Sequence, residues 1–186
     1  SIGNLGVLEQ LYLSNNQLEG TIPASINNLS KLTVLHAGTN RFSGTLPDIS
    51  NLTDLSYLYL GYNGLEGAFP DISNLLNLKY LLIYGNAFTG TFPNEWTTLT
   101  KMQQISASNN RFEGTIPNNI GNLPLTYLAI DQNLLTGTIP ASFGNLSALQ
   151  TLFLSTNKLS STLPPELGGM TAIGFLILVA LILFIA

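Results

Sequence analysis

Residues 32–47 read LTVLHAGTNRFSGTLP, and the same grammar stands in residues 8–23, LEQLYLSNNQLEGTIP, and residues 149–164, LQTLFLSTNKLSSTLP. In each block an apolar run with short, regular gaps is closed by an Asn, and the block itself is closed by a Pro. Outward from these blocks, Asn16, Asn40, Asn63, Asn86, Asn110, Asn133 and Asn157 recur every 23 or 24 residues. Four residues after each Asn stands Gly20, Gly44, Gly67, Gly90, Gly114 or Gly137, with Ser161 in the seventh unit. A Pro follows three positions later in every unit. Self-similarity at a fixed period of a few tens of residues marks a chain of stacked units, none of which can bury its apolar face alone.

In Leu11-Tyr12-Leu13 the apolar residues alternate with a period of two, which turns both Leu to one side and Tyr12 to the other, as in a strand with one buried face. Stacking such strands about 4.8 Å apart makes a ladder of Leu, and seven rungs span on the order of 30 Å. The chain leaves the strand at the Asn, where backbone groups inside the stack need partners, and a side-chain amide supplies both donor and acceptor. Gly permits a turn closed to other residues, and Pro, lacking an N–H, suits a place outside the central ladder. Length varies between the Pro and the next Leu, eight steps from Pro47 to Leu55 but nine from Pro23 to Leu32, so that arc is read as the outer, convex side. Ile26, Ile49, Ile72, Trp96, Ile120, Phe143 and Leu167 share one position in the arc, and Trp96 is therefore read as an oversized member of a core column.

The quoted blocks resemble the leucine-rich-repeat family, in its plant-type subclass, over about residues 1–166. The opening SIGNL copies SINNL at residues 25–29 and reads as the end of an earlier repeat. The resemblance implies an α/β repeat fold: a right-handed curved solenoid with a parallel sheet on its concave face and short 3-10 or irregular segments on its convex face. It further implies a module that recognises a peptide or protein, of the kind found in receptor-like kinases, receptor-like proteins and inhibitors of cell-wall enzymes. The expected setting is extracellular or at the cell membrane, with a co-receptor as a further expected partner.

Composition narrows the chemistry. Only 9% of the residues are charged, against about 25% in average soluble proteins, and 45% are hydrophobic, which excludes a disordered tail and a charge-rich coiled coil. A net charge of −4 without clustered Lys and Arg leaves no electrostatic footprint for nucleic acid. With no Cys there are no disulfides, thiolate metal sites or Cys nucleophiles. His36, the only histidine, has no Cys and no nearby acid in its own repeat with which to form a nucleophile and base pair, and there is no phosphate-cradling Gly loop. No enzyme, metal site or cofactor is expected.

Repeat solenoids bind on the concave face, which here is formed by the strand positions between the Leu. Six of the seven Tyr fall there: Tyr12, Tyr57, Tyr59, Tyr80, Tyr84 and Tyr127, with Tyr62 one step beyond its strand. Together with His36, Asp131 and Phe153 they are the candidate partner-binding residues, since Tyr offers a large apolar area with a polar tip and is enriched at binding hot spots. The alternative is that aromatic residues serve only the sheet, through contacts between strands. His36 suits a ligand carboxylate or a pH response, and Asp131, the only acid in these columns, suits a ligand Lys or Arg. Asn28, Asn51 and Asn145 each begin an Asn-Leu-Ser or Asn-Leu-Thr sequon on the convex side, which suits secretory glycosylation, although the repeat itself favours that tripeptide.

Residues 167–186 carry no charge. As a helix they would reach about 30 Å, enough for a single membrane span. They also continue the register, with Ile173, Leu176 and Leu178 falling 24 residues after Leu149, Leu152 and Leu154, until Leu181 stands where Asn is expected. A membrane anchor and a degenerate eighth repeat are both open readings of this segment. A soluble scaffold or inhibitor, and a receptor-kinase ectodomain whose enzyme domain lies elsewhere, are the alternatives to a receptor-like protein.

Overall fold

The computed structural model describes residues 1–160 and 162–178, so that Ser161 and the register break at Leu181 lie outside the described residues. Strands Gln10–Tyr12, Val34–His36, Tyr57–Tyr59, Tyr80–Leu82, Gln104–Ser106, Tyr127–Ala129, Thr151–Phe153 and Phe175–Ile177 form one parallel sheet, eight strands among the described residues, in chain order. Their central residues align as Leu11, Leu35, Leu58, Leu81, Ile105, Leu128, Leu152 and Leu176. From Leu35 to Leu152 this column is buried, while Leu176 in the last rung is 43% exposed. Alternation within each rung thus sends Leu inward and the Tyr-bearing positions to the concave surface.

A second, five-stranded sheet and a separate two-stranded one, which the alternation of apolar residues did not announce, run behind the turns. Glu19–Gly20, Arg41–Thr45, Gly64–Ala68, Ala87–Thr91 and Arg111–Glu113 pair in parallel, and Thr136–Gly137 pairs with Lys158–Leu159. Arg41–Thr45, Gly64–Ala68, Ala87–Thr91 and Arg111–Glu113 bury the residue two places after the ladder Asn, Phe42, Leu65, Phe88 and Phe112, whereas Leu18, beside Glu19–Gly20, is exposed. Most convex arcs form one 3-10 turn entered through a Pro: Ala24–Asn28, Asn94–Thr98, Asn118–Asn122, Ala141–Asn145 and Pro165–Gly169. The arcs after Pro47 and Pro70, one residue shorter, replace the helix with an Asp-led turn. There Asp48 Oδ1 accepts from Ser50 N at 2.9 Å and Asp71 Oδ1 from Ser73 N at 2.8 Å. The arc after Pro117 is equally short yet keeps its helix.

The core is a Leu ladder backed by an aromatic cluster. Trp96 is 1% exposed and meets Phe69, Phe92 and Phe112 edge to face at 5.5, 5.0 and 5.8 Å between ring centres. Five other members of its column, Ile26, Ile49, Ile72, Ile120 and Phe143, are buried as well. Leu167, the seventh, is partly buried and opens the last segment, where Pro165–Gly169 is a 3-10 turn and Phe175–Ile177 pairs with Thr151–Phe153. Among the described residues no helix is long and apolar enough to cross a membrane.

The ladder Asn residues sew the rungs together. Asn133 donates to the carbonyls of Ile130 and Asp131 in its own rung and of Ala107 in the rung before, and its Oδ1 accepts from Phe112 N at 3.0 Å. Asn40, Asn63, Asn86, Asn110 and Asn157 repeat the pattern, each accepting from the residue two places after the preceding Asn. Asn16, in the first rung, makes only the local pair to Leu13 and Ser14. Asn110→Ala and Asn133→Ala are each expected to lower unfolding free energy by about 2–4 kcal/mol, because buried N–H and C=O groups lose their partners. Asn16→Ala is expected to cost under about 1 kcal/mol. Urea denaturation of the three variants checks this ordering.

Candidate functional site

The solenoid places the candidate residues on one face and joins most of them by direct ring contact. His36 lies 5.7 Å from Tyr12, 5.9 Å from Tyr57 and 4.6 Å from Tyr59, ring centre to ring centre. Tyr57 continues to Tyr80 at 5.5 Å, and Tyr59 to Tyr84 at 5.9 Å. Tyr62, held at a positive φ of 54°, turns its ring edge-on to Tyr84 at 5.0 Å. The chain of rings stops at the fifth rung and resumes as the separate pair Tyr127 and Phe153, 6.0 Å apart.

Glycines make room for this stripe. A Cβ on Gly38 would stand 2.3 Å from Tyr59 Cζ, and one on Gly61 would stand 2.8 Å from Tyr59 Cε2 and 3.0 Å from Tyr84 Cζ. Gly85 lies beneath the Tyr62 ring in the same way. These glycines occupy outward or turn positions where other rungs carry larger residues, a signal that was present in the sequence beside the Tyr columns. The ring tips are tied as well: the Tyr84 hydroxyl donates to the Tyr59 oxygen at 3.2 Å, Tyr59 and Thr39 hydroxyls share a bond, and the Tyr80 hydroxyl donates to Gln103 Oε1 at 3.1 Å. Burial pushes the phenols of Tyr57, Tyr84 and Tyr127 above their ordinary pKa of 10.0. Burial likewise holds His36 below its ordinary 6.5, and its Nδ1 is hydrogen-bonded to the Ser14 hydroxyl.

Where the stripe breaks, the face sinks into a hollow of about 570 Å³. Ser106, Ser108 and Gln104 of the fifth rung floor it, Tyr62, Leu82 and Tyr84 wall it on one side, and Tyr127 and Phe153 wall it on the other. Asp131 opens onto the hollow with its carboxylate accepting from the Ser108 hydroxyl and from Gln132 Nε2. Tyr62, Leu82 and the fifth-rung floor were not among the candidate residues, because a hollow is marked by missing bulk and a search for chemistry-bearing side chains passes over it. On the opposite side of the solenoid, Asn28, Asn51 and Asn145 are exposed at the ends of the convex arcs.

Leucine-rich-repeat models match residues 124–180 and, separately, residues 7–29, 77–99 and 101–123. The chain belongs to the leucine-rich-repeat family. Receptor-like protein 41 of Arabidopsis thaliana is 47% identical over 45 residues, which is 24% of this chain and 5% of that protein. Among solved structures, the plant peptide hormone receptor RGFR1 in complex with RGF2 superposes with a TM-score of 0.90 at 37% identity, over 94% of this chain and 29% of that one. The complex of PEPR1 with AtPEP1 gives 0.89 at 34% identity, over 96% of this chain and 26% of that one. The fold is that of a receptor-like leucine-rich-repeat ectodomain, and the chain spans a minor part of each of these relatives.

Gly61→Ala is expected to lift the Tyr59 and Tyr84 rings, break the bond between their hydroxyls and cost about 1–3 kcal/mol. With its burial lost, the Tyr84 phenol should ionise closer to the ordinary Tyr range, read by ultraviolet titration. For His36 the sign follows from its lowered pKa. The unfolded chain takes up the proton first on acidification, so this contribution to stability is complete above pH 6.5 and falls as pH drops below it. The ring should titrate below 6.5 by NMR, and His36→Gln should flatten that part of the stability profile.

Proposed function

We propose that this chain is a non-catalytic recognition module for a peptide or protein, bound along the concave face of a cell-surface receptor-like protein. The observation that carries the reading is the continuous ring-to-ring stripe from Tyr12 through His36, Tyr57 and Tyr59 to Tyr80, Tyr84 and Tyr62. Three tyrosine positions on this stripe are tied by hydroxyl contacts and two glycine seats, which lowers the entropy a ligand must overcome on binding. Cross-strand pairing of Tyr57 with Tyr80 also serves the sheet, while Gly38, Gly61 and Gly85 leave room for the rings of Tyr59, Tyr84 and Tyr62. Structural relatives solved with RGF2 and AtPEP1 support a peptide as the class of ligand. The exposed convex sequons suit an extracellular location and leave the concave face unglycosylated.

Residues 165–178 are part of the solenoid in this reading, as an eighth repeat. The 3-10 turn at Pro165–Gly169, the parallel strand at Phe175–Ile177 and the family match to residues 124–180 support it, and an anchor helix beginning at Leu167 would have to undo both elements. Residues 179–186, the remainder of the anchor candidate, lie outside the described residues.

Panning a random peptide library displayed on phage against the immobilised chain tests the proposal. Enriched peptides are expected to bind a Tyr59→Ser, Tyr84→Ser double variant at least about tenfold more weakly, an effect of the size seen at hot spots. Equal binding to both proteins would overturn the concave-face reading.

A further inference from the structure

We infer that the hollow at the fifth rung is a selectivity pocket that takes a cationic side chain, Lys or Arg, of a bound peptide, with Asp131 as its counter-charge. The inference rests on the concave-face reading and assigns one subsite within it. Every other residue lining the hollow, from Tyr62 and Leu82 to Gln104 and Phe153, is neutral, so Asp131 sets the sign of its charge alone. Of the first seven rungs only the fifth, with Gln104, Ser106 and Ser108, has no aromatic residue at its outward positions. The missing bulk makes a space whose 570 Å³ lies within the range of small-ligand sites, roughly 300–1,000 Å³.

The carboxylate is held for this task. Ser108 donates to one oxygen and Gln132 to the other, at 3.0 Å for the latter. Each oxygen of an ionised carboxylate accepts about two bonds, so one site on each remains for a ligand, the arrangement that receives a guanidinium fork or an ammonium. The neutral donors fix the orientation without cancelling the charge. The walls fit the rest of such a side chain: Tyr84 and Tyr62 on one bank and Tyr127 on the other offer apolar surface for a long methylene stem and ring faces for the cation. A peptide Asp or Glu would bring a second negative charge beside Asp131 with no cation in the lining to offset it. The negative field of Asp131 is already felt by Tyr127, whose phenol it raises further after burial has done so.

The test uses the enriched phage peptides, sequenced after selection on the full chain, on Asp131→Asn and on Gln104→Trp, which leaves the acid and fills the hollow. Wild type is expected to enrich peptides carrying a Lys or Arg next to an apolar residue. Replacing that residue by Gln should weaken binding about tenfold on wild type and less than about twofold on Asp131→Asn. Gln104→Trp should lose the same preference, which keeps the inference open to refutation if Asp131→Asn folds poorly. Peptides that depend on Tyr59 and Tyr84 yet show no cationic preference, or keep it on both variants, would overturn the pocket and leave the broader reading standing. Peptides indifferent to the tyrosines would overturn both.

Discussion

One interaction sets the geometry of everything else: the side-chain amide of each ladder Asn from Asn40 onward, which binds backbone groups of two successive rungs at once. Asn110 and Asn133 are 8% and 6% exposed, so the bonds they make are shielded from water and have no solvent substitute. Because the amide has a fixed reach, it fixes the step from one rung to the next, and the step fixes which Leu meets which Leu. The residue before each ladder Asn adopts a left-handed conformation, Asn15, Thr39, Tyr62, Gly85, Asn109, Gln132 and Thr156 in turn, with φ between 52° and 67°. A strained turn of that kind persists only where its surroundings over-determine it, and here the Asn bonds do so. The placement of Tyr62 over Gly85 is one product of this turn.

Interior and exterior are reinforced at the same place along the solenoid. Phe69, Phe88, Phe92, Phe112 and Trp96 pack behind the third to fifth rungs, the rungs whose concave side carries Tyr57, Tyr59, Tyr80 and Tyr84 and then the hollow. Edge-to-face pairs of this kind add about 0.5–1.5 kcal/mol each beyond their buried area. A stiff interior beneath the proposed recognition face keeps the outward rings in place. The alternation along a single strand, Leu inward and Tyr outward, is the link between the two.

The solenoid was legible because each unit repeats the same physical demand, and seven repetitions of Asn and Pro, six of them with the Gly between, leave no other register. The eighth rung was half legible: Ile173, Leu176 and Leu178 keep the apolar spacing, but an uncharged segment of that length satisfies a membrane helix equally well. The second sheet was not legible, since stretches such as Arg41–Thr45 contain a left-handed Gly44 and only one buried side chain, and they become strands when the Asn bonds align neighbours beside them. On the concave face the Tyr columns were readable from period two alone. Their contacts were not, because which ring lies over which backbone depends on the lean of each side chain, and the only trace in the sequence was Gly at positions 38, 61 and 85.

In the proposed complex, area and selectivity come from different parts of this face. A stripe of tyrosines offers contact to almost any extended chain, since every ring presents the same apolar surface and a hydroxyl that both donates and accepts, and so it adds affinity with little discrimination. Discrimination is a difference between two affinities, and it is largest where one partner leaves a buried polar or charged group unmatched. Along the first seven rungs the outward positions hold a single carboxylate, set in neutral surroundings and held by two neutral donors. A ligand that supplies a cation there completes the site, while a neutral one leaves Asp131 partly stripped of water without compensation. Because the Asn spine and the Leu ladder lie on the other side of the strands, the residues that set this difference can change without disturbing the bonds that set the fold.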